Sequence, residues 1–424
     1  MSNQNTSCPK SFLGLIDRCM PWIVCLSAGL FFFYVFFQLN VFDVINQPLR
    51  QAFNLNAAQL SWMSSTFVWA NVVFLLPAGI ILDRFPVRIV IFLSMCVCVL
   101  GTFGFACTHS WALASFYHAL TGASNAFCFL SCIVLVSRWF EPRHGALVIG
   151  CIVTLAFLGG MMAHTPLAYL NHHYGWRHAV LIDGVVGLVL LSWIFVVVRD
   201  PPLWSTQHAD ADKSWFSGFS DVLRNRQNWF AGFYTACLNL PIMVLCALWG
   251  ASYLHVVYQR TPLESSNIVS LIFMGSIVGC PLMGWLSDRI GRRKPLMIFG
   301  AAATLFLLLP LVNGWFGGSH LLPVVFFLLG FFTSTQVISY PLIAESNTLH
   351  TTGLATSLAS IVIMGGGGLG QVLFGYLMQH PLGLMSGGDS ILDFQRAMWL
   401  FPAAILLALI VSLCIRETYN ARRL

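Results

Sequence analysis

Three ionisable side chains stand inside stretches that are otherwise apolar. Asp183 is flanked by Leu181, Ile182, Val185 and Val186, His118 by Ala119 and Leu120, and Glu345 opens Glu345-Ser346-Asn347. A low-dielectric setting disfavours the charged form of any such group, so its chemistry is proton exchange. His118 brings an imidazole, whose unperturbed pKa of about 6.5 suits that task. Structural alternatives stay open for each: an ion pair of Asp183 with Arg177 or His178, a packing role for His118, and a gate or cap for Glu345. His164 and His255 are weaker candidates of the same kind. The 13 cysteines show no zinc-type spacing, and the nearest approaches are Cys96-x-Cys98 and Cys128 with Cys132. They read as small apolar packing residues. Neither a nucleophile with its base nor a metal cluster is found, and no Gly-x-x-x-x-Gly-Lys-[Ser/Thr] loop occurs. The chain is therefore expected to be no enzyme and to need no cofactor and no metal.

The elements that must position these groups are membrane helices. Of the 424 residues 58% are hydrophobic and 8% charged, with a mean hydropathy of +0.78. Soluble domains carry about 25% charged residues, so this chain cannot cover a water-facing surface. That excludes a cytosolic enzyme and, despite a formal charge of +6, a nucleic-acid partner. Disorder is excluded by the same hydrophobicity. The apolar stretches run about 20 residues without alternation, the length of a spanning α-helix and not of a barrel strand. They predict helices near 22–42, 58–81, 89–107, 111–137, 145–170 and 178–198, then near 229–257, 265–287, 295–313, 321–344, 352–378 and 395–416. The fold class is thus an all-α membrane protein of 12 transmembrane helices. Its domains are 1–198, an N-terminal six-helix bundle, and 229–424, a C-terminal one. A linker at 199–228 opens with the helix-stopping Asp200-Pro201-Pro202 and then spaces Trp215, Phe216, Phe219, Val222 and Leu223 as a surface helix.

With both termini cytoplasmic, 17 of the 21 basic residues fall on the inner side, and only Arg50, Arg177, Arg260 and Arg396 lie outside. No cleavable signal precedes the first span, where Lys10, Asp17 and Arg18 lead into the apolar run. One loop repeats. Gly79-Ile80-Ile81-Leu82-Asp83-Arg84-Phe85-Pro86-Val87-Arg88 returns 205 residues later as Gly284-Trp285-Leu286-Ser287-Asp288-Arg289-Ile290-Gly291-Arg292-Arg293-Lys294. Each copy follows the second helix of its half, so the two bundles are pseudo-symmetric.

On these loops the chain resembles the major facilitator superfamily of transporters, whose signature is Gly-x-x-x-Asp-Arg-x-Gly-Arg-[Lys/Arg]. The second copy matches fully; the first departs at Pro86 and Val87. His118-Ala119-Leu120-Thr121-Gly122 stands where many members carry Arg-x-x-x-Gly, and Tyr174-Gly175-Trp176-Arg177 and Arg199-Asp200-Pro201-Pro202 are also family-like. The likeness covers about residues 20 to 416. Leu60 to Arg84 and Tyr340 to Asn347 look like bacterial uptake members, phagosomal nutrient transporters among them. The resemblance implies a bacterial inner-membrane carrier, multi-pass and monomeric, that works by alternating access. It also implies a conformational latch of Gly79, Asp83, Arg84, Arg88, Gly284, Asp288, Arg289 and Arg292, with the glycines letting helices approach and the aspartates at a neighbouring helix N-terminus.

In that family helices 1, 4, 7 and 10 line the central cavity. The polar candidates for substrate binding are Tyr34, Gln38, Asn125, Asn239, Trp249, Gln336 and Tyr340 on those helices, with Gln336 and Tyr340 sharing a face, and Asn71 and Gln371 on helices 2 and 11. Asp183, His118 and Glu345 are the proton-coupling candidates. No basic residue falls mid-membrane, whereas family members that carry strong anions place Arg or Lys in the cavity. The expected substrate is a small neutral or zwitterionic organic solute (an amino acid, nucleoside or sugar), driven by protons. The alternatives are export of amphipathic drugs or a siderophore, and a non-transporting sensor. Gly159-Gly160 on helix 5 and Gly275-x-x-x-Gly279 on helix 8 are expected where the halves rock, and Gly365 to Gly368 with Gly370 as a hinge in helix 11.

Overall fold

A computed structural model describes residues 12–140, 142–200, 219–316, 320–348, 351–379 and 390–418. Twelve of its helices are long and apolar enough to cross a bilayer, and the described residues contain no strand. Helix 1 is Phe12–Phe53, helix 2 Ala57–Arg84, helix 3 Val87–Cys107, helix 4 Trp111–Trp139 and helix 6 Trp176–Val197. Helix 5 runs over Pro142–Met162 and resumes as Thr165–Tyr174. In the second half, helix 7 comprises Arg226–Leu240, a widened turn Pro241–Trp249, and Gly250–Tyr258. Helices 8, 9 and 11 are Pro262–Ile290, Lys294–Val312 and Thr352–Gln379. Helix 10 joins Leu322–Thr333 to Ser339–Ser346 through a tight turn, Ser334–Ile338, and helix 12 joins Ile391–Met398 to Leu400–Cys414. Of the linker, Trp215 and Phe216 lie outside the described residues, and Phe219–Arg224 forms a short helix.

The starts follow local chemistry. Asn56 and Gln59 close a reciprocal capping box on helix 2, and Thr261 and Glu264 do so on helix 8, where Pro262 takes the first turn. Helix 1 departs from expectation. It continues eleven residues beyond the apolar run that ends at Phe42, because Ile45 and Leu49 are fully buried and keep one face of Asp43–Phe53 in the core. Helix 5 breaks at His164, since Pro166 has no N–H for the Met162 carbonyl and its ring crowds that carbonyl.

The repeat extends into packing. Gly122 on helix 4 lies so close to helix 2 that a Cβ there would stand 2.0 Å from the Phe67 carbonyl oxygen. Gly330 on helix 10 meets the Ile272 carbonyl of helix 8 in the same way, at 1.9 Å, and 272 is 205 residues beyond 67. Lipid supplies little hydrophobic drive between helices, so such backbone contacts carry much of the association. Gly275 and Gly279 also serve this second crossing: their added Cβ atoms would strike Phe327, Phe331 and Ser334 of helix 10. They do not face helix 5, as expected; there Gly160 meets Phe273. Helix 11 is continuous through its glycine run, where Gly367 receives Met243 and Gly368 receives Val68 and Trp69. The run acts here as a close-packing surface.

The two halves touch along helices 1 and 7, 2 and 11, and 5 and 8. These contacts lie towards the face that carries the 54–56 turn, opposite the face where helix 1 begins and helix 12 ends. Trp249 Nε1 donates to Ser61 Oγ at 3.1 Å, Asn46 Nδ2 donates to the Leu248 carbonyl at 2.7 Å, and an added Cβ on Gly375 would meet Ser61.

Candidate transport pathway and latches

The first cluster gathers three sequence candidates between helices 1, 3 and 6, inside the N-terminal bundle. Gln38 Nε2 donates to Asp183 Oδ2. Tyr34 Oη lies 3.3 Å from Thr102 Oγ1 and 3.4 Å from the Asp183 carbonyl oxygen, positioned to donate to either. Asp183 is buried, and its carboxyl meets an amide and, among the described residues, no cation. Arg177 instead donates to the carbonyls of Ala106 and Thr108, and His178 Nδ1 lies 3.0 Å from the Tyr174 carbonyl. The expected alternative, a structural ion pair for Asp183, is therefore not what the helices build. Tyr34 and Gln38 are turned towards helix 6 and serve Asp183.

His118 occupies an aromatic box. Its ring centroid lies 4.2 Å from Phe42, 5.4 Å from Phe67 and 6.0 Å from Phe105. No hydrogen bond or ion pair joins it to Asp183, and the surroundings are those of a packing residue. Glu345 sits at the end of helix 10, where Arg293 Nη2 donates to it at 2.9 Å and the Thr418 hydroxyl at 2.6 Å. Those partners set Glu345 in a charge cluster with Arg293 at the end of helix 10.

Among the remaining candidates, Asn71, Asn239 and Gln336 are buried and Asn125 half-buried. Tyr340 is 37% exposed against 8% for Gln336, because the tight turn Ser334–Ile338 rotates the two off their expected common face. Trp249 and Gln371 are structural ties. The indole of Trp249 packs between Phe374 and Phe394, and Gln371 Nε2 donates to the Met243 carbonyl at 2.7 Å. The widened turn of helix 7 explains these bonds. It begins at Pro241, which has no N–H, and the carbonyls of Met243 and Leu248 are taken by Gln371 and Asn46.

The charged clusters at the starts of helices 3 and 9 are nearly symmetric. Asp200 accepts the Val87 and Arg88 backbone N–H groups at 3.2 Å each, at the start of helix 3. Arg138 also donates to it, at 3.3 Å. Glu417 does the same for helix 9, accepting from the backbone N–H of Arg293 at 2.7 Å and of Lys294 at 3.2 Å. A carboxylate at each helix N-terminus was expected from the loop aspartates; it comes from the residues that follow helices 6 and 12. In the second loop Asp288 receives Arg293 Nη1 at 2.6 Å. The partner cation is thus Arg293. Arg292 is exposed, and Arg289 stacks on Trp285 at 5.1 Å. Partial burial opposes the Arg293 charge, but Glu345 and Asp288 outweigh it and hold the guanidinium pKa above its ordinary value. Gly284 has nothing within 4 Å of an added Cβ, so no close helix approach depends on it. In the first loop Gly79 is half-buried, Arg84 is exposed, Arg88 donates to the Phe195 carbonyl at 3.0 Å, and the Asp83 side chain lies outside the described residues.

Sequence reasoning named His164 as a weaker candidate and missed its partner. Asp43, on the unexpected extension of helix 1, accepts the Ala251 N–H at 2.9 Å and faces His164 Nε2 at 3.6 Å. Both side chains are fully buried between the two halves. Asp43 directly follows the apolar run ending at Phe42, and an ionisable residue at such an edge was the signal available.

Comparison with known proteins agrees with this architecture. The family model described as Major Facilitator Superfamily matches residues 26–266 and 243–423. A probable hexose phosphate transport protein of Chlamydia pneumoniae is 23% identical over 332 residues, covering 70% of this chain and 71% of the relative. The membrane sensor protein UhpC of Salmonella typhimurium is 24% identical over 371 residues, covering 80% of each. A crystal structure of a D-xylose-proton symporter superposes with a TM-score of 0.74 at 12% identity, covering 92% of this chain and 97% of that one. With twelve helices in two matched bundles and a family model spanning nearly its whole length, the chain belongs to the Major Facilitator Superfamily of transporters.

Proposed function

We propose that the protein is a proton-coupled carrier that takes up a small neutral or zwitterionic organic solute across a bacterial inner membrane by alternating access. The observation that carries this reading is Asp183: a buried carboxyl whose side-chain partner is the neutral amide of Gln38. An ionised carboxylate there lacks a counter-charge, and a proton on it cancels the charge. Loading and unloading that proton gives the two halves of a transport cycle different energies.

The substrate class rests on charge. Every Lys and Arg lies at or beyond a helix end on the sequence map, so a phosphate or carboxylate near the midplane would find no guanidinium or ammonium. The Chlamydia relative is described by a phosphorylated sugar and the structural neighbour by an uncharged pentose; the missing cation favours the uncharged class here. With the termini cytoplasmic, as the 17-to-4 split of basic residues indicates, the contacts between halves close the outer face of what we take to be a monomeric carrier. Asn71, Asn125, Asn239, Gln336 and Tyr340 remain the substrate-binding candidates on the inner path.

The sensor relative supports a second reading, in which the same scaffold binds a solute without moving it. Purified protein in liposomes separates the two. Under an imposed proton gradient, one solute from a panel of amino acids, nucleosides and sugars accumulates, and a protonophore abolishes the accumulation. Thermal stabilisation by a solute with no flux in either direction supports the sensor reading. Efflux of lipophilic cations or iron chelates alone would support the exporter.

A further inference from the structure

We propose that Asp43 and His164 form a one-proton switch that holds closed the face opposite the chain termini, taking up a proton as the halves meet and releasing it as they part. The inference rests on the alternating-access reading above, and it assigns the switch to a place distinct from Asp183.

The geometry sets the proton count. Asp43 on helix 1 accepts the Ala251 N–H at 2.9 Å through Oδ1 and at 3.2 Å through Oδ2, and the Gly250 N–H also points to it. These donors lie just past the widened turn of helix 7, in the other half of the molecule. His164, at the break in helix 5, sets its Nδ1 2.9 Å from the Gly160 carbonyl oxygen. A carbonyl only accepts, so Nδ1 carries the hydrogen; Nε2 lies 3.6 Å from Asp43 Oδ2 and also faces the Cys246 backbone, so a proton taken up on the pair finds acceptors at Nε2. Both side chains have no solvent exposure.

The closed site holds one carboxyl and one imidazole. Without a proton to share the pair carries one negative charge, with one proton none, and with two a positive charge. Burying an uncompensated charge costs several kcal/mol, so the closed face favours the one-proton form. Once the halves part and water reaches the pair, a carboxylate and a neutral imidazole prevail above a pH of about 6.5. Closure at such pH therefore binds one proton.

No neighbour supplies the missing charge. Helix 7 offers Cys246 and helix 8 offers Phe273, and the Asn46 amide of helix 1 is committed to the Leu248 carbonyl. A cavity of about 380 Å³ on this side has Asp43 in its wall, along with Asn171, His172, Ser252 and His255. It lies beside the pair on that side, and its two histidines are the other titratable groups in its wall.

The sign follows from linkage. The closed form binds the extra proton, so acid favours closure, and the open-to-closed ratio rises by up to about tenfold per pH unit above the titration of the opened pair. The test places nitroxides, through p-acetylphenylalanine, on the exposed positions Ala112 of helix 4 and Leu392 of helix 12. Pulsed electron resonance distances are then recorded in nanodiscs without solute from pH 5.5 to 8.5. The short-distance population is expected to dominate at pH 5.5 and to yield to a longer one as pH rises. Asp43→Asn, which still offers the helix 7 N–H groups an oxygen, is expected to stay closed throughout. His172→Gln and His255→Gln are expected to keep the wild-type slope. If Asp43→Asn does not yield folded protein, His164→Gln carries the test, with a smaller closed population than wild type at every pH. A wild-type distribution that ignores pH, or an Asp43→Asn variant that keeps the full slope, overturns the switch. Flux assays separate this from the transport reading. A pH-dependent closure without proton-driven accumulation keeps the switch and removes the coupling role of Asp183; accumulation with pH-independent closure does the reverse.

Discussion

Replacing Asp183 by asparagine changes one oxygen to an amide in a site where Gln38 is the carboxyl's side-chain partner. Volume and shape are kept, and the oxygen of the new amide can still accept from Gln38, so folding is expected to survive with a stability loss of about 1 kcal/mol or less. What is lost is the exchangeable proton. One carboxyl couples one proton, and one proton moving down one pH unit releases about 1.36 kcal/mol, enough for about tenfold accumulation of a neutral solute. A two-unit gradient therefore supports about a hundredfold accumulation by the wild-type protein. In liposomes under that gradient the variant is expected to equilibrate solute to unity, while exchange of labelled for unlabelled solute continues within a fewfold of wild type. Asp183→Glu, which restores the proton one methylene further out, is expected to recover part of the accumulation. If Asp183→Asn still concentrates solute tens of fold, the coupling proton resides elsewhere and the reasoning fails. Loss of exchange together with accumulation would instead mean that the cluster binds substrate.

Three other outcomes test the remaining assignments. Arg293→Ala removes the guanidinium shared by Asp288 and Glu345 and should lower stability by about 1–3 kcal/mol, mostly through Glu345, since the Asp288 side chain is 63% exposed. Melting curves read the loss, and Arg292→Ala serves as the silent comparison; equal effects of the two would place the latch wrongly. Gly122→Val drives a side chain into the Phe67 carbonyl, against a 2.0 Å approach for its first carbon alone, so the yield of monodisperse protein should collapse while Gly284→Ala behaves as wild type. His118→Phe keeps an aromatic ring among Phe42, Phe67 and Phe105 and is expected to preserve transport and its pH profile. A shifted pH profile in that variant would return His118 to the proton path.

The sequence alone determined the membrane setting, the twelve helices and the repeat. These depend on local quantities, namely unbroken apolar length and a charged loop that recurs 205 residues on. It also marked Asp183 as a lone carboxyl within an apolar run. Side-chain direction was not legible, because it depends on which neighbouring helix each residue meets. Tyr34 and Gln38 turn to helix 6, Trp249 reaches Ser61 of helix 2, Gln371 binds the widened turn of helix 7, and Arg293, rather than the adjacent Arg292, reaches Asp288. Only the tertiary structure decided that Asp43, His164 and the Ala251 N–H form one site. The three lie on helices 1, 5 and 7, more than eighty residues apart in the chain. A broken helix, a widened turn and an extension beyond the apolar run bring them together. Pro166, Pro241 and the buried Ile45 and Leu49 shape those three features locally; which of them meet across helices is something no window of sequence contains.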